Sequence, residues 1–378
     1  VAGDATLDWP ELIAFKRTFT DPVPGKHEQR YAKNGIDTYH GTARFVGATS
    51  LEVDDKRLDA KYVLIAAGAE PIRLGIPGEE YLVTNEDFLA METLPRRIAL
   101  VGGGYIAAEF SNIAAVAGAE VTVFQRGERM LKHFDPELVG WLMDAFKAHG
   151  IDVCTRTNVE GIEKAANGFN VRVSSQGTPE TVNVDLVVHS AGRAPALKDL
   201  DLEAAGVDTE KGRLRLNRFL QSTSNPAVYA AGDAAQVGPP LTPVSSHDAK
   251  VVAANLLEGN HREPDYRGVP SVAFSLPPIA AVGLSEQQAK DQGLKCRVKS
   301  RLASDWFTAR QAAQPVYGFK VLVEEETDRV LGAHLVGPHV DDVINLFALA
   351  IRHGLTADNL KTTIFGYPTG ASDIGYML

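Results

Sequence analysis

The sequence predicts an α/β protein in which a dinucleotide-binding unit is followed by an α+β domain. Three observations support this fold class. Residues 97–126 have the composition of a strand, a glycine turn, a helix and a second strand. Further apolar strands end in glycine turns on both sides of this unit. From about Pro264 onward, strand-like segments with alternating or β-branched content predominate.

The turn after the first strand carries the pattern G-x-G-x-x-A in Gly102, Gly104 and Ala107. The first glycine makes the tight turn, the second lets a pyrophosphate approach the backbone, and the small third residue lets the helix pack on the strand. The helix N-terminus presents N–H groups and a partial positive charge to phosphates. The strand–turn–helix–strand context favours dinucleotide binding over a glycine-rich turn of another α/β domain.

The second strand ends at Gln125, where a carboxylate would bind the adenosine ribose of NAD. Gln125 carries no charge that would repel a 2′-phosphate, and Arg126, Arg129 and Lys132 follow closely. Because arginine binds phosphate through two hydrogen bonds, we predict NADPH, with NADH as the other option. The alternative is that these cations form a solvated surface loop.

Composition excludes several classes of protein. The net charge of −10 argues against a nucleic-acid partner, and no apolar run approaches the ~20 residues of a membrane span. No secretion signal is recognised, so we expect a cytoplasmic protein. Cys154 and Cys296 provide no disulfide framework, and no metal site is predicted.

Other segments of the chain suggest secondary structure and ligand contacts. Residues 38–39 and 181–188 are predicted strands. Asp233 follows Gly232 at a strand end and suits a ligand hydroxyl, or alternatively caps a turn. Thr242 is a candidate N-cap of a helix that runs to Leu257. The helix at 341–353 has an apolar face that suits either the core or a subunit interface.

Several ordered motifs resemble the flavoprotein pyridine nucleotide-disulfide oxidoreductases, which include glutathione reductase, dihydrolipoamide dehydrogenase and mercuric reductase. Residues 64–68 resemble the A-T-G motif, with Ala67 in place of threonine, and residues 101–109 resemble the G-x-G-Y-I-x-x-E turn. Residues 191–195 resemble G-R-x-P, and residues 223–233 match T-x4-(V/I)-Y-A-x-G-D. The resemblance extends from near residue 8 to the C-terminus.

The resemblance implies two nested Rossmann-like domains, for FAD and NAD(P)H, and a C-terminal α+β dimerisation domain. The expected limits are 1–94 with 194–263 for the FAD domain, 95–193 for the NAD(P)H domain, and 264–378 for the dimerisation domain. A homodimer is therefore expected.

The resemblance also implies roles for individual residues. Asp233 would bind the ribityl chain, and Thr242 would lie near the pyrimidine end of the flavin. Tyr105 would be a movable ring over the flavin, and Glu109 would line the nicotinamide pocket. Further cofactor contacts are expected from Thr42, Ala43, Ala66, Ala67, Gly68, Ile106, Gly192, Arg193, Gly232, Leu241, Pro243 and Val272.

Two departures from the family affect the expected chemistry. The sequence contains neither the family's first G-x-G-x-x-G turn nor its redox-active C-x4-C, so we expect an N-terminally truncated chain. The family's H-P-T-x-x-E motif is replaced in residues 367–373, where Tyr367 holds the histidine position and Ser372 the glutamate position. A phenol with a pKa near ~10 is a poor base at neutral pH. Tyr367 is therefore a candidate proton donor or metal-site group, or a residue that fills the dimer cleft.

Three functions remain open from the sequence. The first is an FAD- and NAD(P)H-dependent oxidoreductase that reduces a disulfide or another electron acceptor. The second is a flavoprotein that passes electrons to a quinone, a metal ion or oxygen without a histidine base. The third is a non-catalytic dimeric protein that retains the fold.

Overall fold

The computed structural model describes residues 7–378, and its helices and strands are numbered in chain order. No helix in this range is long and apolar enough to cross a membrane. The α-helices are α1 (Trp9–Thr20), α2 (Pro22–Lys33), α3 (Asn85–Ala90), α4 (Tyr105–Val116), α5 (Pro136–Ala148), α6 (Thr242–Glu258), α7 (Glu286–Asp291), α8 (Phe307–Gln311), α9 (Val340–His353), α10 (Ala357–Thr362) and α11 (Ile374–Met377).

The β-strands are mostly short and belong to several sheets. They are β1 (Ala43–Phe45), β2 (Ser50–Val53), β3 (Lys56–Asp59), β4 (Val63–Ile65), β5 (Ala69–Pro71), β6 (Arg97–Val101), β7 (Glu120–Gln125), β8 (Ile151–Thr155), β9 (Thr157–Lys164), β10 (Phe169–Ser175), β11 (Thr178–Val184), β12 (Leu186–His189), β13 (Arg193–Pro195), β14 (Thr209–Glu210), β15 (Arg213–Leu214), β16 (Val228–Ala230), β17 (Ser271–Ala273), β18 (Ile279–Gly283), β19 (Cys296–Leu302), β20 (Gly318–Glu324) and β21 (Val330–Val336).

The chain forms two compact units, and each is assembled from separate stretches of sequence. The first unit contains residues 7–13, 73–192 and 267–378. The second unit contains residues 14–72 and 193–266. The first unit therefore combines the predicted nucleotide-binding stretch with the C-terminal part of the chain.

A four-stranded parallel sheet in the order β12-β6-β7-β8 forms the centre of the first unit. Helix α4 connects β6 to β7, and helix α5 connects β7 to β8. Strands β6 and β12 are almost wholly buried, as expected where helices cover a parallel sheet. The predicted strand–turn–helix–strand arrangement around Gly102 is confirmed.

The predicted strand at 181–188 is wrong as a single element, because the chain changes sheets at Asp185. Strand β11 joins the antiparallel sheet β11-β10-β9, whereas β12 joins the parallel sheet. The Asp185 carboxylate accepts a hydrogen bond from the Arg97 backbone N–H at 2.9 Å and pairs with the Arg97 guanidinium. The Asp185–Arg97 contact therefore divides a segment that the sequence composition predicts to be one continuous strand.

The C-terminal part of the first unit is a five-stranded antiparallel sheet in the order β17-β18-β21-β20-β19. The apolar face of α9 is buried in its core through Val343, Ile344 and Phe347. Helix α5 packs against the same sheet. The Trp141 ring lies so close to Gly318 that a Cβ there would stand 2.5 Å from the ring.

The second unit contains the parallel pair β16-β4 and three small antiparallel sheets. Residues 38–39 form no strand, so that prediction is wrong; they lie in the irregular segment between α2 and β1, without a partner strand. Thr242 is not the N-cap of α6. It is the first helical residue, Leu241 precedes it in extended conformation, and no side chain caps this end.

Phe88 offers a test of the packing that holds α4 in place. It is fully buried, stacks on Phe110 of α4 at 4.7 Å between ring centroids, and meets the edge of Trp9. We expect Phe88→Ala to lower the free energy of unfolding by about 3–5 kcal/mol, because it leaves a cavity. Denaturant titration measures this loss. Val116→Ala is the control, because Val116 is half-exposed on α4. It should change the free energy of unfolding by no more than about 0.5 kcal/mol.

Candidate nucleotide-binding site

The glycine turn begins at Gly102, where the backbone of two chain segments comes into contact. Gly102 has φ +104° and donates its N–H to the Phe124 carbonyl at 2.8 Å. A Cβ at this position would lie 2.4 Å from the Ala191 Cα and 2.5 Å from the Ser190 carbonyl oxygen. Both the conformation and the close approach therefore require glycine.

Gly104 has different surroundings, which leave space beside the start of α4. It precedes the helix with φ −87°, and a Cβ there would have only an ordinary contact, 3.6 Å from the Ser190 carbonyl oxygen. No side chain caps the helix, and its first turn carries no acidic residue. The N–H groups of the first turn thus have no partner within the helix, which fits the phosphate cradle of a dinucleotide site.

Gln125 supports the turn from the end of β7. Its side-chain oxygen accepts a hydrogen bond from the Gly103 N–H at 3.2 Å, and its amide nitrogen donates to the Arg129 carbonyl at 2.9 Å. Leu131 donates its N–H to the Gly103 carbonyl at 2.7 Å. Gln125 is therefore a brace between the glycine turn and residues 126–135, a role that the sequence did not suggest.

The cations after β7 are largely without compensating acids. Arg126 and Lys132 are exposed and form no ion pair within residues 7–378. Arg129 donates to the Lys132 carbonyl at 3.2 Å, but its buried Nε has no partner in the described part of the chain. Glu128 pairs with Arg156 at 3.0 Å. This edge of the sheet is positively charged and suits an anion.

Tyr105 and Glu109 contact residues 271–274 where α4 meets β17, whereas Val272 of that strand packs on the C-terminal core. Tyr105 packs edge-to-face against Phe134, with 5.5 Å between ring centroids, and shares a hydrogen bond with the Ser271 side chain. The Glu109 carboxylate accepts the Phe274 N–H at 3.0 Å. Burial raises the pKa of Glu109, opposed in part by this hydrogen bond, and burial also raises the pKa of Tyr105. Ile106 is half-buried on the same helix, and Ala107 is fully buried on the inner face of α4.

In the second unit, the parallel strands β4 and β16 end side by side, and each is followed by one of the predicted flavin motifs. Ala231 donates its N–H to the Ile65 carbonyl at 3.1 Å. Ala66 and Ala67 are exposed after β4, whereas Gly232 and Asp233 follow β16. The Asp233 carboxylate has no hydrogen-bond or ionic partner among the described residues, so it is available to a ligand hydroxyl.

Asp248 fixes the Gly232 turn, and sequence reasoning missed it. Its buried carboxylate accepts the Gly232 N–H at 3.1 Å and the Tyr266 hydroxyl at 2.8 Å. Gly232 has φ +63°, and a Cβ there would lie 2.6 Å from the Ser245 Oγ. The available signal was an acidic residue on the buried face of α6, in register with Val244, Val251 and Val252.

The other predicted contacts of the second unit lie on its loops and strand ends. Gly68 has φ +70° and open space around it, and the Arg193 guanidinium donates to the Ala69 carbonyl. Thr42 is exposed before β1, and Ala43 is the first residue of that strand. Leu241, Thr242 and Pro243 form the exposed or half-exposed start of α6. Gly192 belongs to the first unit, with φ +123°.

Tyr367 lies apart from the Tyr105–Glu109 group, with which it forms no described contact. It is 77% exposed, and its ring lies 6.2 Å from that of Phe307. The Ser372 hydroxyl donates to the Thr369 carbonyl at 2.6 Å. The next residue, Asp373, accepts hydrogen bonds from the hydroxyls of Thr308 and Tyr317. Within residues 7–378, no carboxylate orients Tyr367 as the glutamate of the H-P-T-x-x-E motif would orient a histidine.

The two cysteines do not form a redox pair. Both are free thiols on separate strands, β8 and β19. Burial and the neighbouring Asp152 raise the pKa of Cys154 to about 12, which keeps this thiol protonated. No cluster of three or more metal-ligating side chains is found in the described range.

Comparison with known proteins places this geometry in a family. The family model described as pyridine nucleotide-disulphide oxidoreductase matches residues 13–249. The chain belongs to this family. Residues 269–377 match the model of its dimerisation domain. Members of the family use FAD and NAD(P)H.

The curated relatives include several reductases. Mercuric reductase from Staphylococcus aureus is 35% identical over 90% of this chain and 62% of the relative. Glutathione reductase from Pisum sativum is 33% identical over 97% of this chain and 66% of the relative. Dihydrolipoyl dehydrogenase from Bacillus subtilis is 30% identical over 97% of this chain and 79% of the relative. The chain thus spans less than two thirds of the length of the first two.

A solved structure supports the same fold. The HOCl-induced flavoprotein disulfide reductase RclA from Escherichia coli has a TM-score of 0.89 and 25% sequence identity. The likeness covers 98% of this chain and 85% of that structure. The predicted fold class, with nested nucleotide-binding domains and an α+β dimerisation domain, is confirmed.

The raised pKa of Glu109 predicts a pH effect with a definite sign. Above the ordinary value of 4.5, the folded chain retains a proton that the unfolded chain loses. The stability contributed by this proton is complete below that value and decreases as pH rises through the raised pKa. A glutamine in place of Glu109 would accept the same N–H without titrating. We therefore expect the Tm of Glu109→Gln, relative to the parent, to increase as pH rises from 4.5.

Differential scanning fluorimetry across this pH series measures the difference. Glu160→Gln, at an exposed position of the same unit, corrects for the general effect of removing one negative charge. A Tm difference between Glu109→Gln and the parent that does not vary with pH, after this correction, would contradict the prediction.

Proposed function

We propose that the protein is an FAD-dependent NAD(P)H oxidoreductase that passes electrons to a disulfide or another acceptor. This proposal rests on the glycine turn of this chain, which belongs to the family. In this turn the backbone of another segment approaches Gly102 closely, and open space surrounds Gly104. The uncapped start of α4 completes a cradle for a pyrophosphate. A non-catalytic protein that kept the fold without its cofactors would not need these features together with the ligand-accessible Asp233.

The first unit would hold the nicotinamide nucleotide. Gly102 shapes the turn, Gly104 admits the pyrophosphate, and the first-turn N–H groups of α4 donate to its oxygens. The half-buried side chains of Tyr105, Ile106 and Glu109 would line the nicotinamide end. Burial raises the pKa of Glu109, which favours the protonated carboxyl of this side chain more than in an exposed glutamate. Val272 would contact the carboxamide.

The second unit would hold FAD. Asp233 would accept hydrogen bonds from ribityl hydroxyls, while Asp248 holds the Gly232 turn in place. The start of α6 would lie near the pyrimidine end, where its dipole favours negative charge. The flavin supplies the two-electron chemistry between the nicotinamide and the acceptor. Further contacts are assigned to Thr42, Ala43, Ala66, Ala67, Gly68, Gly192, Arg193, Leu241, Thr242 and Pro243.

We propose the domain limits given by the sequence motifs: 1–94 with 194–263 for FAD, 95–193 for NAD(P)H, and 264–378 for dimerisation. The match of residues 269–377 to a dimerisation domain supports a homodimer. In such a dimer, Tyr367 would contact an acceptor as a proton donor, whereas its phenol would not replace a histidine base.

Flavin absorbance and thiol titration test the route of the electrons. In the complete purified protein, NADPH should bleach the flavin absorbance band. New thiols after this reduction would identify a disulfide relay, and their absence would indicate direct transfer to another acceptor. A colourless complete protein that neither binds added FAD nor oxidises NADPH would contradict the proposed function.

Gly104→Ala tests the nucleotide cradle without disturbing the fold. Its Cβ meets only an ordinary contact in the protein but occupies the space that a pyrophosphate needs. Losing one hydrogen bond to a charged group costs about 1.5–3 kcal/mol, so NADPH should bind about tenfold or more weakly. Isothermal titration calorimetry measures the affinity, and the Tm should remain close to that of the parent.

Gly140→Ala provides the matched control for this substitution. Gly140 lies within α5, and a Cβ added there would meet no atom within 4 Å. Its replacement by alanine should leave NADPH affinity unchanged and stabilise the helix slightly. Equal NADPH affinities in Gly104→Ala and Gly140→Ala would contradict the assigned cradle.

We further propose a preference for NADPH over NADH. The exposed charges of Arg126 and Lys132, together with the unsatisfied Nε of Arg129, support a site for the 2′-phosphate. Gln125 takes part as the brace that positions these residues and introduces no repelling charge.

Arg126→Ala should separate the two nucleotides. We expect the KM for NADPH to rise about tenfold, since one charge-assisted contact is lost, while the KM for NADH changes little. Arg96→Ala is the control, because Arg96 is an exposed cation beside Glu120 at the opposite end of β7. Equal increases in KM for both nucleotides would instead indicate a general effect on the fold.

A further inference from the structure

A buried lysine connects the C-terminal sheet to the nucleotide-binding part of the first unit. Lys320 of β20 has a side chain only 7% exposed, and its Nζ lies 3.0 Å from the Asp135 carboxylate, whose side chain is 2% exposed. Glu137 lies at 3.0 Å and Glu286 at 3.8 Å. Most other ion pairs of the described chain are on the surface, where they contribute little.

The neighbouring carboxylates favour the charged form of Lys320. Burial lowers the pKa of Lys320, but hydrogen bonds to Glu137 and Asp135 outweigh it, and the net pKa is raised. His334 faces Lys320 as its cross-strand partner, and burial lowers the pKa of His334. Glu286 also binds Lys290 at 2.7 Å. Among the described residues, Lys320 is therefore the cation that pairs with Asp135, and burial disfavours the charged form of the neighbouring His334.

Asp135 is simultaneously the N-cap of α5. Its carboxylate accepts the backbone N–H groups of Glu137 at 3.0 Å and Leu138 at 3.4 Å. Glu137 also accepts a hydrogen bond from Ser300 of β19 at 2.8 Å. The start of α5 is thus bound to the C-terminal sheet through both of these acidic residues.

The segment that ends at Asp135 carries the candidate nucleotide contacts. We name residues 126–135 the basic loop. Gln125, just before the loop, and Leu131, within it, bind the backbone of Gly103. At its end, Phe134 contacts the ring of Tyr105, and the next residue is the buried partner of Lys320. The loop is therefore held at the glycine turn and at the C-terminal sheet.

We propose that Lys320 is a positioning residue for the nicotinamide nucleotide, holding the basic loop and the Phe134–Tyr105 contact in place through Asp135. This inference rests on the proposed function of the first unit. Lys320 touches neither the glycine turn nor the loop cations in the described contacts, so its effect on the nucleotide passes through Asp135.

The test requires a variant that removes the ionic link without leaving a buried charge alone. Lys320→Met by itself leaves Asp135 uncompensated, and such a change is strongly destabilising. In Lys320→Met/Asp135→Asn, asparagine retains the capping function and methionine fills the volume of the lysine stem. Lys295→Met, at an exposed position just before β19, is the matched control.

The first measurement is the affinity of the full chain for adenosine 2′,5′-bisphosphate, by calorimetry well below the Tm of each variant. We expect the double variant to bind at least about tenfold more weakly, with the parent affinity retained in Lys295→Met. A purely structural role would lower the Tm but leave the affinity of the folded protein unchanged. Equal affinity in the double variant and the parent would overturn the positioning role.

The second measurement is independent of any ligand. Hydrogen exchange followed by mass spectrometry should show faster exchange in the peptide that covers residues 126–135 of the double variant, with little change in β6. Unchanged exchange in the loop would also overturn the proposal. A parent chain that does not bind adenosine 2′,5′-bisphosphate, yet shows the expected exchange difference, would contradict the NADPH assignment and leave the loop anchor supported.

Discussion

The close backbone approach at Gly102 is the constraint on which the candidate nucleotide-binding site depends. The ends of β6 and β12 meet there, and the Ser190 hydroxyl binds the carbonyls of Val101 and Gly102 at 2.9 and 2.8 Å. A side chain at Gly102 would separate these strand ends. With the turn held in this way, α4 begins beside open space, and the N–H groups of its first turn remain available to a ligand.

The rest of the first unit supports this turn from two directions. Gln125 and the basic loop brace it from β7, while Tyr105 and Glu109 connect α4 to β17 through Ser271 and Phe274. Lys320 and Asp135 extend the same network into the C-terminal sheet. Much of the polar structure around the candidate nucleotide site is therefore continuous with the part of the chain that matches a dimerisation domain.

The candidate site was predictable where its chemistry is local. Gly102, Gly104 and Ala107 belong to one short segment at the start of α4, and their spacing alone indicates their backbone roles. The partners of Gln125, Asp248 and Lys320 were not predictable, since they lie 22, 16 and 185 residues away. The division of residues 181–188 between two sheets likewise depends on Arg97, which is distant in sequence.

The sequence by itself determined the fold class, the family resemblance and the position of the glycine turn, because hydrophobic periodicity and turn residues act over short distances. Only the tertiary structure decided how that turn is supported. Asp248 and Lys320 are buried with their partners, and Gln125 braces Gly103. Ser372 and Asp373 bond to other residues, so that no carboxylate binds Tyr367. The glycine turn is thus a local feature, whereas its rigidity arises from long-range hydrogen bonds and buried charge.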